Sequence, residues 1–196
     1  GVGAAGGDLG QVTAIARGFA RLKKLGLTDR QPRLLVAQAE QASPLYRAFR
    51  SGWEFHRTVA GPTQASAIAI GNPVNVHKAI AELRRVDGVV EAVNEDEITA
   101  AWTAGDRHGL QTDPHTGVAL AALRKQLEQG RIGAQERAVV VSTAHGLKFG
   151  TLKRAFHLAT KDGPKSSARS EALRNPPLMI SAHLPALEDA LLPRLR

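Results

Sequence analysis

Ser142 and Thr143 are the residues best placed for chemistry. They follow the apolar run 138–141, whose three β-branched residues predict a strand buried in a fully covered sheet, and Gly146 lets the backbone turn soon afterwards. Ligands of open α/β sheets bind at the carboxyl ends of the strands. The two hydroxyls could hydrogen-bond a heteroaromatic nitrogen or a phosphate there. A polar strand end without a ligand is the alternative.

Two overlapping glycine patterns open the chain. Residues 1–6 (GVGAAG) match the dinucleotide fingerprint formally, but no strand is expected before them and more glycine, rather than a helix, follows. Residues 6–11 (GGDLGQ) come directly before a predicted helix, whose unpaired N–H groups and positive dipole end face the loop. Because glycines let the backbone approach a ligand closely, this loop predicts a phosphate site. A glycine-rich helix start with no ligand is the alternative.

The elements that would position these residues alternate between strands and helices. This succession predicts an α/β fold with a mostly parallel, twisted sheet covered by helices. Residues 53–73 and the Pro-rich segment near 176 are expected to be irregular. The predicted strands are residues 33–39, 88–92, 109–112 and 137–142, and the predicted helices are residues 11–25, 44–50, 76–85, 95–106, 118–128 and 185–192.

Composition excludes several classes of site. The chain of 196 residues has no cysteine, so disulfides and thiolate metal sites are excluded, and its seven histidines show no i, i+4 pair typical of a metal site. The net charge of +8 comes from scattered residues, and the densest basic segment, residues 148–174, is expected to be a solvated surface. We therefore expect no metal and no nucleic-acid partner. No apolar window approaches the length of a membrane span, so no membrane partner is expected.

Five motifs, taken in order, resemble those of threonine synthase, a pyridoxal-phosphate enzyme of the tryptophan-synthase-β-like fold (fold type II), and more closely its plant-type branch. The resemblance extends over nearly the whole chain to residue 177. It implies that the chain is the C-terminal part of such an enzyme. The motifs are GGDLGQ at 6–11, PLY at 44–46 with SGW at 51–53, ASAIAIGNP at 65–73, PHTGVAL at 114–120 and VVVSTAHGLKF at 139–149.

The resemblance also implies which residues bind the cofactor. Backbone N–H groups of the loop would receive the 5′-phosphate, Thr143 would hydrogen-bond the pyridine nitrogen, residues 67–71 would line the pocket, and residues 114–117 would lie near it. His115 could be a structural residue or a substrate contact. The cofactor-binding set is Gly7, Asp8, Leu9, Gly10, Gln11 and Thr143.

Two departures from the family pattern qualify this expectation. The family usually has asparagine where this chain has Asp8 and Gln11, and a carboxylate beside a phosphate is repulsive. Asp8 could instead point away and cap the helix. The Schiff-base lysine belongs to the family's N-terminal part, and none of the eight lysines here lies in a matching motif. We therefore expect no catalytic residue in this chain, an absent N-terminal lysine-bearing domain, and no activity of residues 1–196 alone.

The resemblance implies a lyase that converts O-phospho-L-homoserine and water to L-threonine and phosphate, the last step of threonine biosynthesis. Residues 1–150 would form the cofactor-phosphate-binding α/β domain, with its first strand truncated, and residues 151–196 a C-terminal extension with a last helix. A cytoplasmic location and a homodimer are also expected. The alternatives are another fold-type-II enzyme, such as a threonine dehydratase, and a non-catalytic remnant or interaction module.

Overall fold

The structure is a computed structural model that describes residues 1–192. Its centre is a four-stranded sheet in the order β3-β2-β1-β4, in which every neighbouring pair is parallel. Val2 pairs with Leu34 on one side and with Val139 on the other. The predicted α/β fold with a parallel sheet is confirmed. The strands are β1 (Val2–Ala5), β2 (Leu34–Ala39), β3 (Val89–Val93) and β4 (Val139–Val140).

Eight α-helices connect and flank the strands among the described residues. Three short 3₁₀ turns are also present. They lie directly after β2 (Glu40–Ala42), in the irregular segment (Ser66–Ile68) and after β4 (Gly146–Phe149). Within residues 1–192, each helix falls short of the length or the hydropathy that a bilayer span requires. The helices are α1 (Gly10–Lys24), α2 (Pro44–Arg50), α3 (Val76–Arg85), α4 (Glu95–Arg107), α5 (Pro114–Glu128), α6 (Gly150–His157), α7 (Ala168–Glu171) and α8 (Leu184–Leu191).

Side-chain caps define where α4 and α5 begin. Asn94 accepts a hydrogen bond from the backbone of Glu97 at 2.9 Å, and the Glu97 carboxylate accepts one from Asn94 N–H at 2.8 Å, which completes the expected capping box. Helix α5 was expected from residue 118 but begins four residues earlier. Asp113 accepts from the backbone N–H groups of His115 and Thr116, and Pro114 occupies the first helical position, where a missing N–H costs nothing.

Two hydrophobic clusters lie on opposite faces of the sheet. Helices α1 and α3 cover one face, where Leu9, Val36 and Leu83 are buried together. Helices α4 and α5 cover the other face, which is filled around Trp102. All six residues of β2 are buried, as expected for a parallel strand covered on both faces. Helix α6 extends the second cluster, because Phe156 packs edge-on against Trp102 at 5.3 Å between ring centroids.

One strand prediction was wrong, and another was too long. Residues 109–112 form no strand, because Gly109 (φ 79°) and Gln111 (φ 49°) have left-handed backbone conformations that cannot continue a ladder. The strand predicted for residues 137–142 is present but has only the two residues of β4, and it is covered on one face only, where Val140 packs against the cluster around Trp102. It lies at the sheet edge, and Val139 is 53% exposed. Strand β1 occupies residues 2–5 of the dinucleotide pattern, so those residues are extended chain rather than a phosphate-binding turn.

Candidate functional site

A cleft of about 300 Å³ opens where β1 and β4 end. It brings the glycine loop at 6–11 together with Thr143, which is far away in the sequence. Of the predicted cofactor-binding residues, Gly7, Asp8, Leu9, Gln11 and Thr143 line the cleft, whereas Gly10 does not. None of the described residues that line the cleft is a lysine. The lining is Ala5, Gly7, Asp8, Leu9, Gln11, Ala67, Ile68, Ile70, His115, Thr143 and Ala144.

The glycine loop presents several backbone donors without acceptors. Gly6 N–H donates to Ala37 O at 2.7 Å, and Gly10 N–H donates to Asp8 Oδ1 at 3.1 Å. Among residues 1–192 we find no acceptor for the backbone N–H groups of residues 7–9 and 11–12. These donors lie at the N-terminus of the 15-residue helix α1, where the helix dipole is positive. The loop is therefore equipped to bind an anion through its backbone.

Leu9 shapes this loop with an unusual backbone conformation. Its φ of 68° and ψ of 8° are left-handed, a conformation that costs a non-glycine residue about 1–2 kcal/mol. Its side chain is 1% exposed and packs among the residues under α1, and burial of a leucine contributes about 1.5–3 kcal/mol, which offsets the strain. A left-handed residue in a turn lets successive N–H groups converge on one anion.

Gln38 holds the glycine loop in place, although its role was not predicted from the sequence. Its side chain is fully buried; Nε2 donates to Gly6 O at 3.0 Å, and Oε1 accepts from the backbone N–H groups of Leu45 and Tyr46 at 2.9 and 3.0 Å. One amide thus joins the glycine loop to the start of α2. The available signal was a single amide inside the otherwise apolar run 34–39, because a buried polar side chain must have partners.

The opposite wall of the cleft is formed by residues 67–70. Ala67, Ile68 and Ile70 line it, as expected for this segment. A Cβ atom on Gly7 would lie 3.1 Å from Ile68 Cγ2 and 3.3 Å from Ala67 O, so the loop approaches this wall closely only because residue 7 is glycine. Gln64 anchors the segment, since its Oε1 accepts from Trp102 Nε1 at 2.8 Å.

His115 and Asp113 form a buried pair at the start of α5. His115 Nδ1 lies 2.6 Å from Asp113 Oδ1, and His115 Nε2 accepts from Ala67 N–H at 3.0 Å. Burial by itself would raise the pKa of Asp113. Hydrogen bonds from the side chains of His115 and Thr116, together with their backbone N–H groups, outweigh it and hold that pKa below its ordinary value. Asp113 is therefore a carboxylate at neutral pH.

The segment after β4 is held by its backbone. Gly146 N–H donates to Gln111 O at 2.6 Å, and a Cβ atom there would lie 2.7 Å from that same oxygen, so only glycine fits. Ser142 Oγ lies 3.1 Å from Thr116 Oγ1. Thr143 is exposed to the cleft, and its hydroxyl has no protein partner among residues 1–192. It is therefore available to a ligand.

Comparisons with known proteins agree with one another. Residues 2–144 match the family described as pyridoxal-phosphate dependent enzyme. Threonine synthase 2, chloroplastic, of Arabidopsis thaliana is 44% identical over 188 residues, which are 95% of this chain and 36% of that protein. Threonine synthase of Methanosarcina acetivorans is 40% identical over 144 residues, which are 72% of this chain and 36% of that protein. The chain thus spans about a third of these curated relatives.

Among solved structures, the chain is similar to threonine synthase from Escherichia coli. The TM-score is 0.62, and the match covers 98% of this chain and 44% of that chain. At 21% sequence identity, this likeness shows the fold and no more.

Proposed function

Because this chain belongs to the family of pyridoxal-phosphate dependent enzymes, we propose that pyridoxal phosphate binds in the cleft between the glycine loop and Thr143. The observation that carries the proposal is the row of backbone N–H groups at residues 7–9 and 11–12, which have no acceptor among residues 1–192 and lie at a helix N-terminus. A phosphate supplies the acceptors that these donors lack. The cofactor residues remain Gly7, Asp8, Leu9, Gly10, Gln11 and Thr143.

One loop residue fits the phosphate less well. Asp8 Oδ1 accepts from Gly10 N–H, so the carboxylate uses one donor of the helix N-terminus and adds negative charge beside the others. Asp8 is exposed, and solvent weakens its repulsion of a phosphate. Gln11 lines the cleft and keeps an amide there. The backbone donors therefore hold the phosphate, and Asp8 weakens that binding without preventing it.

The remaining roles follow from which residues face the cleft. The Thr143 hydroxyl donates to or accepts from the ring nitrogen, and the small side chain of Ala67 leaves room for the ring. The cofactor, when bound, withdraws electrons from the substrate. No lysine of residues 1–192 lines the cleft, so we propose that the Schiff-base lysine comes from another part of the complete polypeptide.

We propose that the complete polypeptide is a threonine synthase, a lyase that converts O-phospho-L-homoserine and water to L-threonine and phosphate. The support is the 44% identity to the Arabidopsis thaliana protein over 95% of this chain. Residues 1–196 alone are expected to be inactive. We further propose that residues 1–150 form the cofactor domain and residues 151–196 a C-terminal extension, and that the enzyme is a homodimer in the cytoplasm. Because the plant relative is named chloroplastic, the location is to be tested by cell fractionation.

Two assays on the complete polypeptide test this function. Phosphate release from O-phosphohomoserine, with threonine as the second product, is expected; 2-oxobutyrate formed from threonine as the main activity would instead indicate a threonine dehydratase. Titration with pyridoxal phosphate is expected to give a visible absorbance band. A polypeptide that shows no band and neither activity would be a non-catalytic member of the family.

A further inference from the structure

A continuous chain of hydrogen bonds connects the two walls of the cleft. It starts at Ala67 N–H, which donates to His115 Nε2 at 3.0 Å, and passes through His115 Nδ1 to Asp113 Oδ1 at 2.6 Å. The second carboxylate oxygen of Asp113 accepts from Thr116 Oγ1, which lies 3.1 Å from Ser142 Oγ. One end of the chain is thus in the wall at 67–70, and the other is beside Thr143.

Donor counting fixes the direction of every bond in this chain. A backbone N–H can only donate, so His115 Nε2 is an acceptor and the imidazole hydrogen is on Nδ1, facing Asp113. An ionised carboxylate can only accept, so the single Thr116 hydroxyl hydrogen goes to Asp113. Ser142 must then donate to Thr116. Its other available acceptor, Ala144 O, is farther away at 3.4 Å. The bonds from both walls therefore converge on Asp113.

Capping of α5 does not explain the two outer bonds of the chain, which are Ala67 N–H to His115 and Ser142 to Thr116. Asp113 caps that helix through the backbone N–H groups of His115 and Thr116, and these bonds do not involve Ala67 or Ser142. Ser142 is exposed, so water could satisfy its hydroxyl and the fold does not require the bond to Thr116. The outer bonds act instead on the segments that line the cleft.

We propose that His115, Thr116 and Ser142 are positioning residues, which hold residues 67–70 and Thr143 at the separation that pyridoxal phosphate needs. This inference rests on the proposed function. In the proposed site the cofactor ring lies beside Ala67 while its nitrogen contacts Thr143, so these two segments must be held at a set distance. His115 lines the cleft and also holds Ala67 there through its Nε2, whereas Ser142 acts on the cleft through its neighbour Thr143.

Two substitutions of His115 separate its contacts. His115→Gln places an amide oxygen near the position of Nε2 and keeps an acceptor for Ala67 N–H, whereas His115→Asn places an amide near Nδ1 and keeps only the Asp113 contact. We expect pyridoxal phosphate to bind the complete polypeptide about three- to tenfold more weakly in His115→Asn, the effect of one lost hydrogen bond, and nearly normally in His115→Gln. A residue that only supports α5 would give the opposite order.

Ser142→Ala is the matched test at the other end. Because Ser142 is exposed, the urea midpoint of the apo protein should not change, while the cofactor affinity falls about three- to tenfold and the visible circular dichroism of the bound cofactor shifts. The nearby exposed residue Leu147 supplies a control, and Leu147→Ala should change neither quantity. Unchanged affinity and dichroism in both Ser142→Ala and His115→Asn would overturn the positioning role.

The tautomer of His115 gives a readout independent of the cofactor. Two-bond ¹H–¹⁵N imidazole spectra of the apo polypeptide should show His115 neutral with its hydrogen on Nδ1, and an Nε2–H tautomer would contradict the bond to Ala67. A wild-type polypeptide that fails to bind pyridoxal phosphate would overturn the proposed function and the positioning role together. If the wild type binds pyridoxal phosphate and the variants bind it with equal affinity, only the positioning role is overturned.

Discussion

Replacing Asp8 with asparagine is expected to strengthen cofactor binding. Asp8 Oδ1 accepts from Gly10 N–H at 3.1 Å, and asparagine keeps an acceptor oxygen in the same place, so the turn is retained. For the estimate we take a separation of roughly 6 Å between the carboxylate and the centre of a phosphate bound by neighbouring N–H groups. The substitution therefore removes one charge beside the phosphate while the backbone donors remain.

The magnitude follows from Coulomb's law. Charges of −1 and about −2 separated by roughly 6 Å repel by about 1.4 kcal/mol in a water-like dielectric and by about 5.5 kcal/mol at an effective dielectric of 20. Asp8 is exposed, so the lower figure is the better guide, and we expect a gain of about 1–2 kcal/mol at low salt. The dissociation constant of pyridoxal phosphate should thus fall about five- to thirtyfold.

The assay is a titration of the complete polypeptide with pyridoxal phosphate at low and high sodium chloride. Salt screens exposed charges, so the advantage of Asp8→Asn should shrink at high salt. Pyridoxal, which lacks the phosphate, is the control ligand, and its affinity should not change. Equal affinities of wild type and variant for pyridoxal phosphate at low salt would refute the electrostatic reasoning, as would an equal gain for pyridoxal.

Three further substitutions test how the site is held. Gly6→Ala places a Cβ atom 2.5 Å from Val36 Cγ1, and we expect overpacking to lower the free energy of unfolding by about 1–3 kcal/mol in urea titrations. Gln38→Ala leaves three backbone groups without their partner and should cost about 2–4 kcal/mol in the same titration; a loss below about 0.5 kcal/mol would contradict the clamp. Asp113→Asn should cost about 1–3 kcal/mol at pH 7. Because the folded pKa of Asp113 is lowered, its contribution is complete above about pH 5 and declines as the pH falls below about 4, so wild type and variant should converge in acid, and a gap that stays constant with pH would contradict this.

Local features of the fold were predictable where the signal lies within a few residues. The capping box at Asn94 and Glu97 marked the start of α4, and the apolar periodicity of residues 76–85 matched α3. The start of α5 was missed, although Asp113 and Pro114 together carry a capping signal. Predictions from short-range patterns succeed because capping and periodicity depend on adjacent turns of one helix.

The errors occurred where the surroundings override the local pattern. The β-branched run 138–141 is typical of a covered strand, yet β4 pairs on one side only, and Val139 is exposed because the sheet ends there. Residues 109–112 were expected to be a strand, but Thr112 N–H bonds to Asp106 Oδ1 at 2.8 Å, and the backbone turns around that contact. Neither the position of β4 at the sheet edge nor the bond between Thr112 and Asp106 could be identified from the sequence near these segments.

The amino-acid sequence by itself determined the α/β class, most of the helices, the glycine loop before α1 and the resemblance to threonine synthases, because each depends on motif order or local periodicity. Only the tertiary structure decided that the loop shares a cleft with Thr143, that Gln38 clamps the loop, and that Asp113 connects both walls. These facts require distances between residues far apart in the chain. Parallel strand pairing sets those distances, and no single segment encodes them.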